Sequence, residues 1–193
     1  ASSELGKPYD EADLIVAHMG GGISVGAHRG GKVIDVNNAL DGEGPFAPER
    51  AGSLPAGELV KYVFSTGIKL EDLEKKMVGG GGLVAHLGTN DLREVEKRMA
   101  GGDEKARLVF EAMAYQVARE VCCRAAVLSG EVDAVVLTGG LAFSEAFVKA
   151  VSERVSFIAP ILLFPGEDEM RALAEGALRV MGGQEEARVY ARV

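Results

Sequence analysis

The sequence predicts a mixed-sheet α/β protein, and three observations carry that prediction. Three short β-type segments come first, separated only by glycine-rich punctuation. A long helix, apolar over much of its circumference, follows them. Beyond it, strands and helices alternate. A meander followed by strand–helix alternation describes a sheet that starts antiparallel and continues with βαβ connections.

The elements follow in order. Asp13–Met19 is a short apolar run that stops at Gly20, Gly21 and Gly22. Ile23–His28 comes next, then Arg29-Gly30-Gly31, then Lys32–Val36, which together make consecutive hairpins. Asn37–Pro55 carries three of the six prolines and reads as loop; so long a structureless stretch is functional or wrongly assigned. Helical spacing appears in Gly57–Phe64 and in Leu70–Met77, where Leu70, Leu73 and Met77 fall at i, i+3 and i+7. Gly79–Gly82 interrupts the chain ahead of Leu83–Leu87, and Thr89-Asn90-Asp91 offers a cap for a helix over Leu92–Met99. The long helix runs from Asp103 to about Leu128, with Leu108, Ala112, Tyr115, Ala118, Cys122 and Ala125 as its expected buried stripe. Val132–Leu137 is a β-branched run suited to a strand covered on both faces. Ser144 caps a helix through Val151, Val155–Phe164 is again strand, and Pro165-Gly166 is a turn. Asp168–Met181 closes the series as a helix with an acidic first turn.

Composition bounds the partners. The chain has 193 residues, enough for one domain or one with an appendage. Glycine accounts for 26 of them but proline for only 6, and 47% are hydrophobic, so the glycines belong to loops of a folded protein rather than to a linker or collagen. A net charge of −8 repels phosphate backbones and anionic lipid, so neither nucleic acid nor a membrane surface is an expected partner. The same charge does not exclude a small phosphate ligand, because backbone N–H groups and a few cations suffice to hold it. Cys122 and Cys123 are adjacent on the long helix and read as reduced, buried thiols. With no signal-peptide pattern in ASSELGKPYDEAD, the expected location is the cytoplasm.

Two glycine loops carry the chemistry. In HMGGGI, consecutive glycines can take positive φ and turn N–H groups inward as an anion nest. The next element is a strand, which excludes the Walker and dinucleotide-fold loops and leaves two readings, a phosphate loop at a hairpin bend or a plain tight turn. In TGGLAF, Gly139 and Gly140 follow a buried strand and open a helix, which suits an adenosine lying on the backbone or ordinary βα packing. Together the two loops favour a nucleotide. His18 stands beside the hairpin loop as a core residue or as a hydrogen-bond donor to a transferring phosphoryl group. Arg50 is a solvated charge or the cation that neutralises that group. Asp168 and Glu169 are first-turn acids favoured by the helix dipole or magnesium ligands.

The assembled string AHMGGGISVGAHRGGKVIDVNNALDGEGPFAPERAGSLP resembles the butyrate branch of the acetokinase family, within the actin, Hsp70 and sugar kinase superfamily. The likeness continues through GGGGLVAHLGTNDLREVEKRM, VVLTGGLAFSEAF and LLFPGEDEMRALAEGALRV, nearly the whole chain. It implies a ribonuclease H-like mixed sheet with flanking helices, as in actin-like ATPase domains. It also implies reversible phosphoryl transfer between Mg-ATP and butanoate, or a similar short or branched carboxylate, giving the acyl phosphate and ADP. By position, His18 is then the family's phosphoryl-contacting histidine, Gly20, Gly21 and Gly22 its phosphate cradle, and Arg50 the arginine of the T-R-S-G segment. Asp91 and Arg93 match the D-x-R of the nucleotide pocket. Gly139 leads into the adenosine motif, where Gly140, Leu141, Ala142, Phe143 and Ser144 stand in place of G-I-G-E-N. Asp168 or Glu169 takes the place of the magnesium-holding glutamate in N-E-E. Family members carry an N-terminal lobe ahead of this region, so the resemblance implies that residues 1–193 are the C-terminal nucleotide-binding lobe alone. A non-catalytic nucleotide-binding or assembly module is the alternative. The implied partners are a small carboxylate and further copies of the chain in a homo-oligomer.

Overall fold

In the computed structural model, which describes residues 1–187 and 189, the chain opens with helix α1 (Ser2–Leu5) and a 3₁₀ turn at Tyr9–Glu11. Strands β1 (Leu14–Met19), β2 (Ile23–Arg29) and β3 (Lys32–Val36) then form an antiparallel meander. Gly30 and Gly31 both sit at positive φ, 61° and 69°, as a two-residue type I′ bend requires. After the long loop come α2 (Ala56–Thr66), α3 (Leu70–Met77), α4 (Gly82–Leu87), α5 (Leu92–Ala100) and α6 (Glu104–Val127). The last third alternates β4 (Ala134–Gly139), α7 (Glu145–Val155), β5 (Ile161–Pro165) and α8 (Glu169–Met181).

Among the described residues the sheet has the order β3-β2-β1-β4-β5, with β1, β4 and β5 parallel to one another. This is the expected mixed sheet with flanking helices. Alternation along β1 sends Ile15, Ala17 and Met19 into the main core, while Leu14, Val16 and His18 fall on the other face. The main core lies between the sheet and helices α6 and α7, around Met113, Val117, Val121, Leu137 and Phe147. On the second face of the β1–β4 pair, Leu14 and Ala134 pack against Ala1 and Leu5, with Val16 and Leu162 alongside.

Helix starts follow the local chemistry. Asp91, Asp103 and Ser144 each cap a helix by accepting a hydrogen bond from a backbone N–H two or three residues on. The long loop after β3 is pinned rather than loose. The buried Asn37 side chain accepts from Val25 N–H at 2.7 Å and donates to Ile23 O and Glu43 O, and Phe46 N–H donates to Gln116 Oε1.

The structure corrects three expectations. The buried stripe of α6 runs through Ala106, Val109, Phe110, Met113, Ala114, Val117, Ala118, Val121 and Arg124, and Leu108 is 67% exposed and Tyr115 56%. Apolar residues ring this helix, so periodicity left its orientation to tertiary packing. Arg124 belongs to the buried stripe because its charge is met by Glu120 and Asp35 and its Nε donates to Val25 O at 2.9 Å. Second, helix α7 continues through Val155, and the strand expected from that residue is confined to Ile161–Pro165. Third, both cysteines are free, but Cys122 is only half-buried and Cys123 is exposed.

Asp103 braces the α5–α6 connection and Asp133 ties the start of the chain to the β4 entry, and their chemistry predicts acid sensitivity. Hydrogen bonds from Ala106 N–H and Arg98 hold the Asp103 carboxyl below the usual range; Lys7 and Asp13 N–H do the same for Asp133. A carboxyl whose folded pKa is depressed stabilises the fold above its unfolded pKa, about 4, and loses that contribution as pH falls through the folded value. The melting-temperature gap between wild type and Asp133→Asn is therefore expected to be full above about pH 5 and to close in acid below about pH 3. A gap independent of pH would remove the ion pair as its cause.

Candidate functional site

Strands β1, β4 and β5 are parallel, so their carboxyl ends meet at one edge of the sheet, where loops diverge and ligands bind in open α/β sheets. Three loops meet there: Gly20–Gly22 after β1, Gly139–Ser144 after β4, and the Gly166–Asp168 segment after β5. His18 is in register with Thr138, and Gly139 bridges to Gly166. Gly139 has φ of 90°, and a Cβ there would lie 2.6 Å from Met19 O, so a side chain would push the β4 exit off β1.

These loops, with the start of α5 and the loop carrying Arg50, enclose a cleft of about 660 Å³. Gly20, Gly21, Pro48 and Glu49 line one part of it. Asp91, Arg93 and Glu96 of the α5 start and Gly140, Leu141, Phe143 and Ser144 of the β4 exit line the rest. His18 sits at its edge, with Nε2 3.3 Å from Glu167 Oε1, itself a lining residue. Gly20, Gly21 and Gly22 are not at positive φ, so their glycine character is spent on space. A Cβ on Gly22 would lie 2.6 Å from Cζ of Arg50, and one on Gly20 would lie 2.9 Å from Glu167 Oε1. The loop therefore presses directly against the Arg50 guanidinium.

At the α5 wall, Arg93 Nε and Nη2 donate to the two carboxylate oxygens of Asp91 at 2.9 and 2.8 Å. This pairing, with the cap bond from Arg93 N–H, holds the Asp91 carboxyl below the usual range. On the same wall, the Ser144 hydroxyl donates to Glu96 and accepts from Phe147 N–H at 3.0 Å, which ties α5 to the start of α7. Leu141 and Ala142 are buried beneath the 3₁₀ turn at Gly140–Phe143, and Phe143 is 71% exposed above it.

A family model described as the Acetokinase family matches residues 1–159. The chain belongs to the acetokinase family. It is 58% identical over 181 residues to a "Probable butyrate kinase 2" of Caldanaerobacter subterraneus subsp. tengcongensis, covering 94% of this chain and 51% of that relative. It is 52% identical over 189 residues to "Butyrate kinase 2" of Clostridium acetobutylicum, covering 98% of this chain and 53% of that protein. The chain thus spans about half the length of these curated relatives. Among solved structures, Porphyromonas gingivalis acetate kinase superposes with a TM-score of 0.82 at 23% identity, over 92% of this chain and 51% of the other. A propionate kinase from Francisella tularensis subsp. tularensis SCHU S4 gives 0.76 at 22%, over 88% and 49%. At these identities the superpositions establish the fold, that of the actin-like ATPases.

In this acetokinase-family chain, Gly20, Gly21, Asp91, Arg93, Gly140, Leu141 and Ser144 line the cleft, while His18, Gly22, Arg50, Gly139 and Ala142 flank it through contacts with or adjacency to lining residues. Asp168 and Glu169 lie outside its lining: Asp168 holds the N-cap position of α8 and Glu169 the first turn. Among the described residues no three His, Cys, Asp or Glu side chains converge as a metal cage. Four polar lining residues were not expected from the sequence: Glu49, Asn90, Glu96 and Glu167. Asn90 Nδ2 donates to Glu49 Oε1 at 2.6 Å, so two of them pair with each other. Glu49 and Glu167 stand one residue from an expected site residue, a signal that proximity in sequence could have supplied. Glu96 offered none, because its partner Ser144 is 48 residues away.

Proposed function

We propose that this chain is the C-terminal, nucleotide-binding lobe of a two-lobe carboxylate kinase. The reaction moves the γ-phosphoryl group of ATP reversibly to butanoate, or a similar short or branched carboxylate, giving the acyl phosphate and ADP. The observation that supports it best is the convergence of His18, the Gly20–Gly22 bend and Arg50 on the same strand edge as the Gly139–Ser144 loop.

The roles follow from charge and position. His18 Nε2 is a hydrogen-bond donor for the transferring phosphoryl group, and Gly20, Gly21 and Gly22 let that group approach the backbone. Arg50 neutralises the charge that develops on the equatorial oxygens. Asp91, Arg93, Gly139, Gly140, Leu141, Ala142 and Ser144 hold the adenosine end. Magnesium usually takes one or two carboxylates, with phosphate oxygens and water supplying the rest, so a site lacking a three-residue cage fits it. Asp168 or Glu169 would hold it, with Glu167 beside them on the cleft wall. When bound, the ion would neutralise phosphate charge.

The proposal includes a cytoplasmic homo-oligomer without nucleic-acid or membrane partners. The net charge of −8 supports the latter, and no helix among the described residues is long and apolar enough to cross a membrane.

Two measurements test it. The chain lacks tryptophan, so Phe143→Trp places a single reporter on the cleft wall. Its fluorescence is expected to change on titration with MgADP. A hydroxamate assay with butyrate, ATP and magnesium is expected to give butanoyl hydroxamate from the two-lobe polypeptide and none from this lobe alone, which lacks half of the aligned cleft. Nucleotide binding with no acyl phosphate from either form would leave a binding module and end the kinase reading.

A further inference from the structure

The four-glycine run Gly79–Gly82 has no counterpart in the nucleotide reading, and none of its residues lines the cleft. Its backbone instead grips the segment that carries Arg50. Gly79 N–H and Gly81 N–H both donate to Glu49 O, at 2.8 and 3.2 Å. On either side, Ala51 N–H donates to Met77 O at 2.9 Å, and Leu83 and Val84 N–H donate to Ala47 O and Pro48 O at 3.2 and 3.1 Å. Arg50 itself pairs with Val78 as an isolated bridge. Contact is too close for any side chain: a Cβ on Gly81 would lie 2.4 Å from Ala51 N, and one on Gly82 would lie 1.6 Å from Ala47 O.

The opposite side of the same segment is held by the hairpin loop. Glu49 N–H donates to Gly21 O at 3.1 Å, and the Arg50 guanidinium lies against Gly22, where there is no side chain to displace it. Glu49 also anchors sideways through Asn90. Residues 47–51 are therefore a strap fixed between two glycine-rich loops, one in the cleft and one behind it.

We infer that the Gly79–Gly82 turn is a positioning device for Arg50, an inference that rests on the catalytic reading of that arginine. The backbone bonds set where the Arg50 Cα sits, and Gly22 sets where the guanidinium lies. A long side chain has many rotamers, so a cation that must meet transient charge gains most from a fixed root. Displacing that root by about 1 Å is enough to cost on the order of 100-fold in turnover. Gly81 touches no ligand; it acts through Arg50.

A double-mutant cycle in the two-lobe kinase tests this. Gly81→Ala is expected to lower kcat by about 100-fold while shifting the KM for ATP less than about threefold. In an Arg50→Ala background the same change is expected to cost less than about threefold, because the group it positions is gone. Gly79→Ala, where a Cβ meets open space but φ is 97°, gives a milder version if Gly81→Ala fails to fold; its loss should vanish likewise in the Arg50→Ala background. Losses that multiply in the double variants, or full kcat in both single glycine variants, overturn the inference and leave the reading of Arg50 standing. A wild-type kcat for Arg50→Ala removes both.

Discussion

Replacing Arg50 by alanine in the two-lobe kinase is expected to reduce kcat by about 10³–10⁵-fold, the range in which an arginine serves the charge of phosphoryl transfer. His18→Ala is expected to cost about 10²–10³-fold, the usual loss for one preorganised donor. In both variants the KM for ATP should stay within a few fold, because neither residue lies at the α5 or 3₁₀-turn walls where the adenosine end is proposed to sit. The two residues reach the same place by different routes. His18 is fixed by strand alternation and by its register with Thr138. Arg50 depends on a strap of backbone hydrogen bonds and on the bare surface of Gly22. Steady-state kinetics on the two single variants checks this, and unchanged kcat in both would take them out of the chemistry. A large rise in KM at constant kcat would make them ground-state binders.

The largest effect on the stability of this chain is expected at Phe147. This side chain is fully buried, in the first turn of α7, with its ring set edge-on to Phe110 of α6 at 5.5 Å. Phe147→Ala is expected to cost about 3–5 kcal/mol, from lost transfer energy and the cavity left behind. For a chain of this size that lowers the melting temperature by roughly 6–20 °C. The change also loosens the seat of α7, whose N-terminal Ser144 faces the cleft. Leu108→Ala on the same α6 is the matched control. Leu108 is largely exposed, so its truncation is expected to stay within about 0.5 kcal/mol. Thermal unfolding of the two variants decides the matter. Equal losses would mean that α6 buries the other face.

That control also marks where reading the sequence stopped. The order of the main elements and most helix starts were legible because they depend on neighbours a few residues apart. Glycine pairs turned the hairpin, Asp91, Asp103 and Ser144 capped helices, and β-branched runs made strands. The orientation of α6 was not legible, since apolar side chains ring it and a charged one, Arg124, joins the buried side through partners on β2, β3 and its own preceding turn. Nor was the end of α7, which ran four residues past Val151 with Val155 still in the core.

The sequence by itself determined the mixed sheet, the two glycine loops and the histidine and arginine beside them, together with the family whose pattern they share. Only the tertiary structure decided why those glycines are there. At Gly22 and Gly81 the requirement is room for a neighbour distant in sequence, and at Gly82 and Gly139 that room adds to a positive φ. It likewise decided that Glu49, Asn90, Glu96 and Glu167 face the cleft while Asp168 and Glu169 begin a helix beside it. Local propensity sets φ, ψ and caps, whereas close approach and pairing are set by chain segments tens of residues apart. Spacing along one strand of sequence carries no record of those distances.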